Sequence, residues 1–320
     1  MSQMPFSCLI IDYMHPSIVP MLEALNITVA YQPDIKAEAV KSMLPGFDGL
    51  LVRSKLFISE EVLSGDHQLT FIARAGAGVD NIDEAALKRQ NITLLNAPEG
   101  NCDAVGEFTL GLLLALFRNV VKADTEVRKY TWLREENRGE ELMGKTVGII
   151  GYGHMGRAFA QRLAGFSCEI LAYDNNHTIQ PDGFARLVTL EELYAQADVV
   201  SVHIPFTPDN KHLGNEHFFT SFKKNIWVLN TARGEVINQT ALVKLLQAGK
   251  IKGAALDVLE NEKLKTLNPQ QQLNFEYLSQ AENVILTPHI GGWTHQSYVK
   301  INEVLVQKIK AFLQQTTVKS

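Results

Sequence analysis

His289 stands in Thr287-Pro288-His289-Ile290-Gly291-Gly292, just past the apolar run 284–286. An imidazole titrates near neutrality, so a histidine placed there can take or give a proton. Pro288 and the two following glycines permit close approach of a ligand. His203, followed by Ile204-Pro205, is the second candidate, although the proline suits a wall beside a ligand better than a proton relay. A carboxylate beside the imidazole would fix its orientation and favour its protonated form. Glu260 and Glu262, three and five residues past Asp257, are both placed for that role. Arg233, in Thr231-Ala232-Arg233-Gly234, can grip a carboxylate with two parallel hydrogen bonds.

A second constellation reads Gly151-Tyr152-Gly153-His154-Met155-Gly156 after the buried run 145–150, then an apolar-periodic stretch to Phe166, a second run 168–173 and Asp174. Strand, glycine turn, helix, strand and acid in that register form a dinucleotide-binding fingerprint. Gly151 permits the tight turn, Gly153 admits the pyrophosphate to the backbone, and Gly156 lets helix and strand pack closely. The helix that opens at His154 and Met155 offers free N–H groups and the positive end of its dipole to the pyrophosphate. Asp174 can accept hydrogen bonds from the ribose hydroxyls and would repel a 2′-phosphate, which favours NAD over NADP. NAD carries the hydride chemistry, so the protein must supply the proton transfer.

The surrounding pattern shows what positions these groups. Strands are predicted at 8–11, 27–30, 49–52, 71–73 and 92–95, with helices at 18–25, 37–43 and 84–90. Further strands follow at 198–203, 226–230, 253–256 and 284–286. Thr189 to Glu192 reads as a capping box, Asn238 as the cap of a helix over 240–248 ended by Gly249, and 294–313 as an amphipathic helix. Strands alternating with helices indicate parallel sheets covered on both faces, an α/β fold. Asp103 is expected to cap one long helix through Val120, apolar almost all round over 110–117, with an amphipathic continuation to Trp132. Such a helix is buried on all sides, at a domain junction or a subunit interface. The segments 175–185 and 261–282 read as a polar loop and an irregular surface excursion. Arg53, Arg74, Asp174, His203, Arg233, Asp257 and His289 all fall at or just past strand ends, the edge at which open parallel sheets bind ligands.

The 320 residues suit one large or two medium domains. A composition of 46% hydrophobic and 20% charged residues is that of a globular protein, and a net charge of −5 leaves no basic footprint for nucleic acid. No apolar run is long enough to span a membrane, and residues 1–5 show no signal segment. Cys8, Cys102 and Cys168 lack metal-ligand spacing, so no metal site is expected and a reducing, cytoplasmic setting is.

Six motifs carry a resemblance that covers nearly the whole chain. They are 74–81 (RAGAGVDN), 96–101 (NAPEGN), 151–156, 230–234 (NTARG), 256–262 (LDVLENE) and 287–292 (TPHIGG). In that order they resemble the D-isomer-specific 2-hydroxyacid dehydrogenase family, most closely its branch that oxidises D-3-phosphoglycerate with NAD at the entry to serine synthesis. The resemblance implies two doubly wound parallel-sheet domains. A Rossmann NAD-binding domain, 102–292, would be inserted in a flavodoxin-like substrate domain made of 1–101 and 293–320. It implies Arg233 as the substrate-orienting residue, His289 as the acid/base and Glu262 as its partner. The cofactor residues would be Gly151, Gly153, His154, Met155, Gly156, Asp174, His203, Ile204, Pro205, Thr231, Ala232, Asp257, Gly291 and Gly292. The substrate residues would be Arg53, Ser54, Arg74, Gly76, Ala77, Gly78, Asn101 and Arg134, the arginines serving the phosphate. It also implies a homodimer formed through the long helix and the arm after it.

Three features depart from that branch. Lys263 replaces the usual proline after Glu262, the 263–280 excursion is long, and Trp293 stands where a small polar residue is common. They keep open an unphosphorylated substrate such as glycerate/hydroxypyruvate or lactate. An NAD(H)-sensing corepressor-like binding protein is a third reading, opposed by the intact Arg233, Glu262 and His289. The chain stops near Ser320, so the C-terminal regulatory domain of longer family members is not expected.

Overall fold

A computed structural model of the chain describes residues 6–319. In chain order its first part runs β1 (Ser7–Ile10), α1 (Ile18–Glu23), β2 (Thr28–Tyr31), α2 (Ala37–Met43), β3 (Gly49–Val52), β4 (Phe71–Arg74), α3 (Glu84–Arg89) and β5 (Thr93–Asn96). Then come α4 (Cys102–Phe117), α5 (Val120–Arg128), β6 (Thr146–Ile150), α6 (His154–Leu163), β7 (Glu169–Tyr173), β8 (Arg186–Leu187), α7 (Leu190–Gln196) and β9 (Val199–Val202). The last part is α8 (Glu216–Ser221), β10 (Ile226–Asn230), α9 (Gln239–Gln247), β11 (Ile251–Leu256), α10 (Pro269–Gln280), β12 (Val284–Leu286) and α11 (His295–Lys319). The chain divides into two compact units, one formed by residues 1–101 with 293–320 and the other by 102–292.

The first unit carries a five-stranded sheet in the order β2-β1-β3-β4-β5, with every pairing parallel. Its strands are short apolar runs whose alternate residues serve two cores. Cys8, Ile10, Leu51, Phe71 and Ala73 pack on one face with Ile301, Leu305 and Ile309 of α11. Leu9, Ile11, Leu50, Val52 and Ile72 pack on the other with Ala86 and Leu87 of α3. A strand buried on both faces must be apolar at every position, which is why these runs were legible. The 102–292 unit repeats the logic in a seven-stranded parallel sheet, order β12-β11-β10-β9-β6-β7-β8. Its register aligns the strand ends, with Ile150 opposite Val202 and Tyr173, and Asn230 opposite Val202 and Leu256. Residues 151, 174, 203, 231 and 257 therefore emerge along one edge.

Three expectations are corrected. The long helix is broken: α4 ends at Phe117, Asn119 adopts a left-handed φ of 52°, and α5 leaves at 63°. Asn tolerates that conformation at little cost, whereas an apolar pattern alone gives no sign of it. Asp103 lies inside the first turn of α4 rather than capping it, and its Oδ1 accepts from Arg162 Nη2 at 2.9 Å. The 261–282 excursion is not irregular, because 269–280 forms α10. Asn268 and Gln271 form a capping box with Pro269 in the first turn, while Asn274 Nδ2 ties the helix to Thr240 Oγ1 at 2.9 Å. A run of glutamines hid the helix, since it buries only Asn274 and Leu278. No single helix among the described residues is long and apolar enough to cross a membrane.

Asn302, buried in α11, donates through Nδ2 to the His15 carbonyl and to Ser17 Oγ, both at 3.0 Å. Removing it takes one of two donors from the His15 carbonyl, which keeps Ile18 N at 3.1 Å, and opens a gap in buried α11. Asn302→Ala is expected to lower stability by about 1–3 kcal/mol in urea titration, while Glu303→Ala, one residue on and exposed, stays within about 0.5 kcal/mol. Equal midpoints for the two variants would refute that role.

Candidate active site

Asp257, 1% exposed at the end of β11, organises the turn that carries His289. Its Oδ1 accepts from Thr287 Oγ1 at 2.6 Å and Ile290 N at 2.9 Å, and its Oδ2 accepts from Gly291 N at 2.7 Å. Its carbonyl accepts from His289 N at 2.8 Å. Four hydrogen bonds from one residue hold the 287–291 segment, and they hold His289 at a φ of 56°. A non-glycine residue in the left-handed region is costly and persists only where its surroundings fix it.

The His289 ring then meets Glu262, with Nδ1 2.9 Å from Oε1 and 3.2 Å from Oε2. This hydrogen bond raises the His289 pKa above its ordinary value. Burial and the nearby Arg233 charge pull it down, and the Glu262 and Asp257 charges push it up. Nδ1 faces the carboxylate, so Nε2 is the atom left for a substrate proton. Of the two candidate acids only Glu262 reaches His289. Glu260 pairs with His212 at 2.5 Å. Arg233 leaves β10 through a turn in which Asn230 Nδ2 holds its carbonyl at 2.9 Å, and Arg233 Nη1 donates to the Ala232 carbonyl at 2.7 Å. Gly234 lets that turn lie against the segment leading to Glu262, since a Cβ there would be 1.9 Å from the Leu259 carbonyl oxygen.

His203 is removed from contention as a base. It is buried, its Nε2 lies 2.8 Å from Ser201 Oγ, and burial pushes its pKa down to about 3, so it stays neutral. Ile204 is half-buried beside it and Pro205 is exposed.

The glycine turn fits a dinucleotide. Gly151 has φ +91°, and a Cβ there would lie 2.7 Å from the His203 carbonyl oxygen. A Cβ on Gly156 would lie 2.1 Å from the Gly151 carbonyl oxygen, so helix and turn touch. At Gly153, the N-cap of α6, a Cβ would meet nothing within 4 Å. That open space, at a helix N-terminus where His154 is exposed and Met155 half-buried, is what a pyrophosphate requires. Asp174 ends the neighbouring strand β7. Its Oδ2 accepts from Tyr152 N at 2.7 Å and its Oδ1 from Asn176 N at 2.8 Å, which fixes the carboxylate that would meet the ribose. Thr231 is buried against Thr109, their hydroxyl oxygens 2.9 Å apart. Ala232 and Gly292 are half-buried and Gly291 is buried.

In the other unit Arg53 follows β3 and Arg74 ends β4, and Val52 is in register with Arg74. Among the described residues no carboxylate lies within ion-pair distance of the Arg53 guanidinium. Ser54 is exposed, and Gly76, Ala77 and Gly78 follow β4, with the Ala77 carbonyl accepting from Asn96 Nδ2 at 2.7 Å. Asn101 Oδ1 is buried without a hydrogen-bond partner. Arg134 is exposed on the segment after α5 and belongs to the 102–292 unit, apart in the chain from Arg53 and Arg74. Sequence reading missed Asp12. Its Oδ2 accepts from Arg53 N at 2.7 Å and its Oδ1 from Lys55 N at 3.1 Å. The signal was present, because Asp12 also sits just past a strand end. Reading missed the organising role of Asp257 as well, which only the tertiary fold reveals.

Comparison with known proteins agrees with this geometry. Residues 110–291 match the model of the D-isomer-specific 2-hydroxyacid dehydrogenase NAD-binding domain. The chain is 33% identical over 287 residues to the hydroxypyruvate reductase of Thermotoga maritima, covering 90% of each. It is 33% identical over 308 residues to the D-3-phosphoglycerate dehydrogenase of Methanocaldococcus jannaschii, covering 95% of this chain but 57% of that protein. It thus spans little more than half the length of that phosphoglycerate dehydrogenase. The crystal structure of an Aquifex aeolicus D-lactate dehydrogenase complexed with NAD and lactic acid superposes with a TM-score of 0.82 at 27% identity, covering 97% and 96% of the two chains. The two parallel sheets and the glycine turn define an NAD-binding α/β oxidoreductase. The chain belongs to the D-isomer-specific 2-hydroxyacid dehydrogenase family, whose members are NAD-dependent.

Two predictions follow from the geometry. Glu262→Gln removes the largest cause of the raised His289 pKa. The pH at which half-maximal oxidation is reached should fall, because the neutral imidazole is the form that accepts a proton. The same sign governs stability. A raised folded pKa contributes stability that is fully present below the free-histidine value of about 6.5 and is lost as pH rises through the folded value. An unchanged pH–rate profile in the variant would contradict the pairing. Separately, Gly153→Ala has room to fold and should keep its melting temperature while weakening NADH binding by about tenfold or more, as a methyl group blocks close approach to a helix N-terminus. Gly156→Ala should instead lower the melting temperature. Fluorescence titration with NADH and thermal melts separate the two.

Proposed function

We propose that this chain oxidises D-3-phosphoglycerate to 3-phosphohydroxypyruvate with NAD, at the entry to serine synthesis. NAD, when bound, supplies the hydride acceptor. The protein supplies the rest. Arg233 holds the C1 carboxylate, next to the reacting C2, with its planar fork. His289 Nε2 takes the C2 hydroxyl proton, and the resulting imidazolium is stabilised by the Glu262 carboxylate against Nδ1. The phosphate is assigned to Arg53, Arg74 and Arg134.

The observation that carries this reading is the pair of arginines at adjacent strand ends, Arg53 and Arg74, in register through Val52. They are additional to Arg233, and a phosphate is the second anionic group that a lactate-sized acid does not offer to Arg53. The Trp293 and Lys263 departures favour a second reading, an unphosphorylated acid such as glycerate. We further assign the protein to the cytoplasm as a homodimer. The free thiols Cys8, Cys102 and Cys168 support the first point, and the exposed Val120, Val121, Val127, Tyr130 and Trp132 on and after α5 support the second.

Purified enzyme should form NADH faster from D-3-phosphoglycerate than from D-glycerate or D-lactate, measured at alkaline pH with the keto acid trapped. Preference for an unphosphorylated acid would replace the first reading with the second. In either case His289→Ala should lower kcat by about 10²–10⁴ and leave the NADH dissociation constant near its wild-type value. Near-normal turnover would refute the base assignment.

A further inference from the structure

Arg53 is a half-buried cation whose main chain is fixed by Asp12 but whose side chain is steered from the far end of the sequence. Its Cζ lies 4.1 Å from the centroid of the Trp293 ring and 5.3 Å from that of Tyr298. Tyr298 lies in the first turn of α11 and Trp293 two residues before it, and the start of the helix is anchored. Thr294 N donates to Ser297 Oγ at 3.1 Å, and Ser297 N donates to Thr294 Oγ1 at 2.9 Å. The Tyr298 ring meets the His15 ring edge-on, with centroids 5.5 Å apart and planes at 85°. Asn302 ties the same helix to residues 15 and 17. These contacts tie the Tyr298 ring and the backbone that leads out of Trp293 to the 15–17 segment.

Trp293 itself is 66% exposed. A large apolar ring left so far in solvent adds little to a core, and the contact it does make is with Arg53. A guanidinium held over an aromatic ring still presents N–H donors along the edge turned away from that ring. That edge fits two oxygens of one phosphate or carboxylate. No carboxylate of the described residues lies in ion-pair reach of that edge, which leaves it to water or to an anionic ligand. Burial lowers the pKa of the Arg53 side chain, and the Tyr298 and Asp12 charges only partly offset it.

We propose that Trp293 is a positioning residue for Arg53: its indole face holds the guanidinium in place so that its outward N–H edge receives the second anionic group of the substrate, the one remote from C2. This rests on the phosphoglycerate reading above. It also gives a role to the residue at which the sequence departs most visibly from the branch it resembles. Trp293 should then govern affinity for the remote anion and leave the chemical step alone.

The test uses the full chain and the variants Trp293→Ala and Trp293→Phe, with D-3-phosphoglycerate and D-glycerate as paired substrates. Trp293→Ala is expected to raise KM for D-3-phosphoglycerate about five- to tenfold, the effect of losing one cation–π contact. Its kcat should stay within about twofold, and its KM for D-glycerate should not change. Trp293→Phe, which keeps an aromatic face, should recover most of the loss. A KM change of equal size for both acids, or none for either, would overturn the assignment. If the wild type does not oxidise D-3-phosphoglycerate, the functional reading fails on its own. The Arg53–Trp293 pair is then judged by competitive inhibition by inorganic phosphate against the best unphosphorylated acid. Inhibition lost in Trp293→Ala and kept in Trp293→Phe supports the pair. Inhibition equal in all three proteins, or absent from the wild type, overturns it.

Discussion

The site depends on one buried carboxylate. Asp257 accepts from Thr287, Ile290 and Gly291, and its own carbonyl accepts from His289. A buried carboxylate is costly unless its lone pairs are filled, and here backbone and hydroxyl donors of a single turn fill them. The consequence is positional. His289 is held in a left-handed backbone conformation that it would not adopt in a free chain, and its ring reaches Glu262 from there. Asp257 thus sets the place of the His289–Glu262 pair through backbone geometry, without touching either ring or carboxylate of that pair.

Much of this was legible in the sequence, for physical reasons. The strands of these parallel sheets that are buried on both faces are almost wholly apolar runs, so the strand ends, and with them Arg53, Arg74, Asp174, Arg233 and His289, could be placed from pattern. Glu262 as the partner of His289 came from motif resemblance, and distance then separated it from Glu260. What stayed hidden was tertiary or local in a way that composition does not record. The bend at Asn119 depends on one residue adopting positive φ within a continuous apolar pattern. The helix at 269–280 buries two residues and exposes a glutamine-rich surface, so it has no periodic stripe to read. The roles of Asp12 and Asp257 arise from which backbone amides converge on them, and only folding brings those amides together.

Two histidines and two glutamates compete on paper, and environment separates them. Burial without a charged partner keeps His203 neutral down to about pH 3, whereas contact with Glu262 keeps His289 protonated above the ordinary range. Glu260 is engaged by His212, and burial raises its pKa, so it neither orients nor charges the His289 imidazole. The same sheet edge therefore carries one histidine suited to proton transfer and one suited only to packing. The difference lies in what each ring touches.

The measurement that bears most directly on this account is the NMR titration of the His289 imidazole in the wild-type protein, assigned by comparison with His289→Ala. The account predicts a midpoint above the free-histidine value of about 6.5 and an Nδ1–H signal shifted by the Glu262 carboxylate. A midpoint at or below that value would mean that the Asp257-held turn does not deliver His289 to Glu262, and the proposed acid/base pair would fail with it.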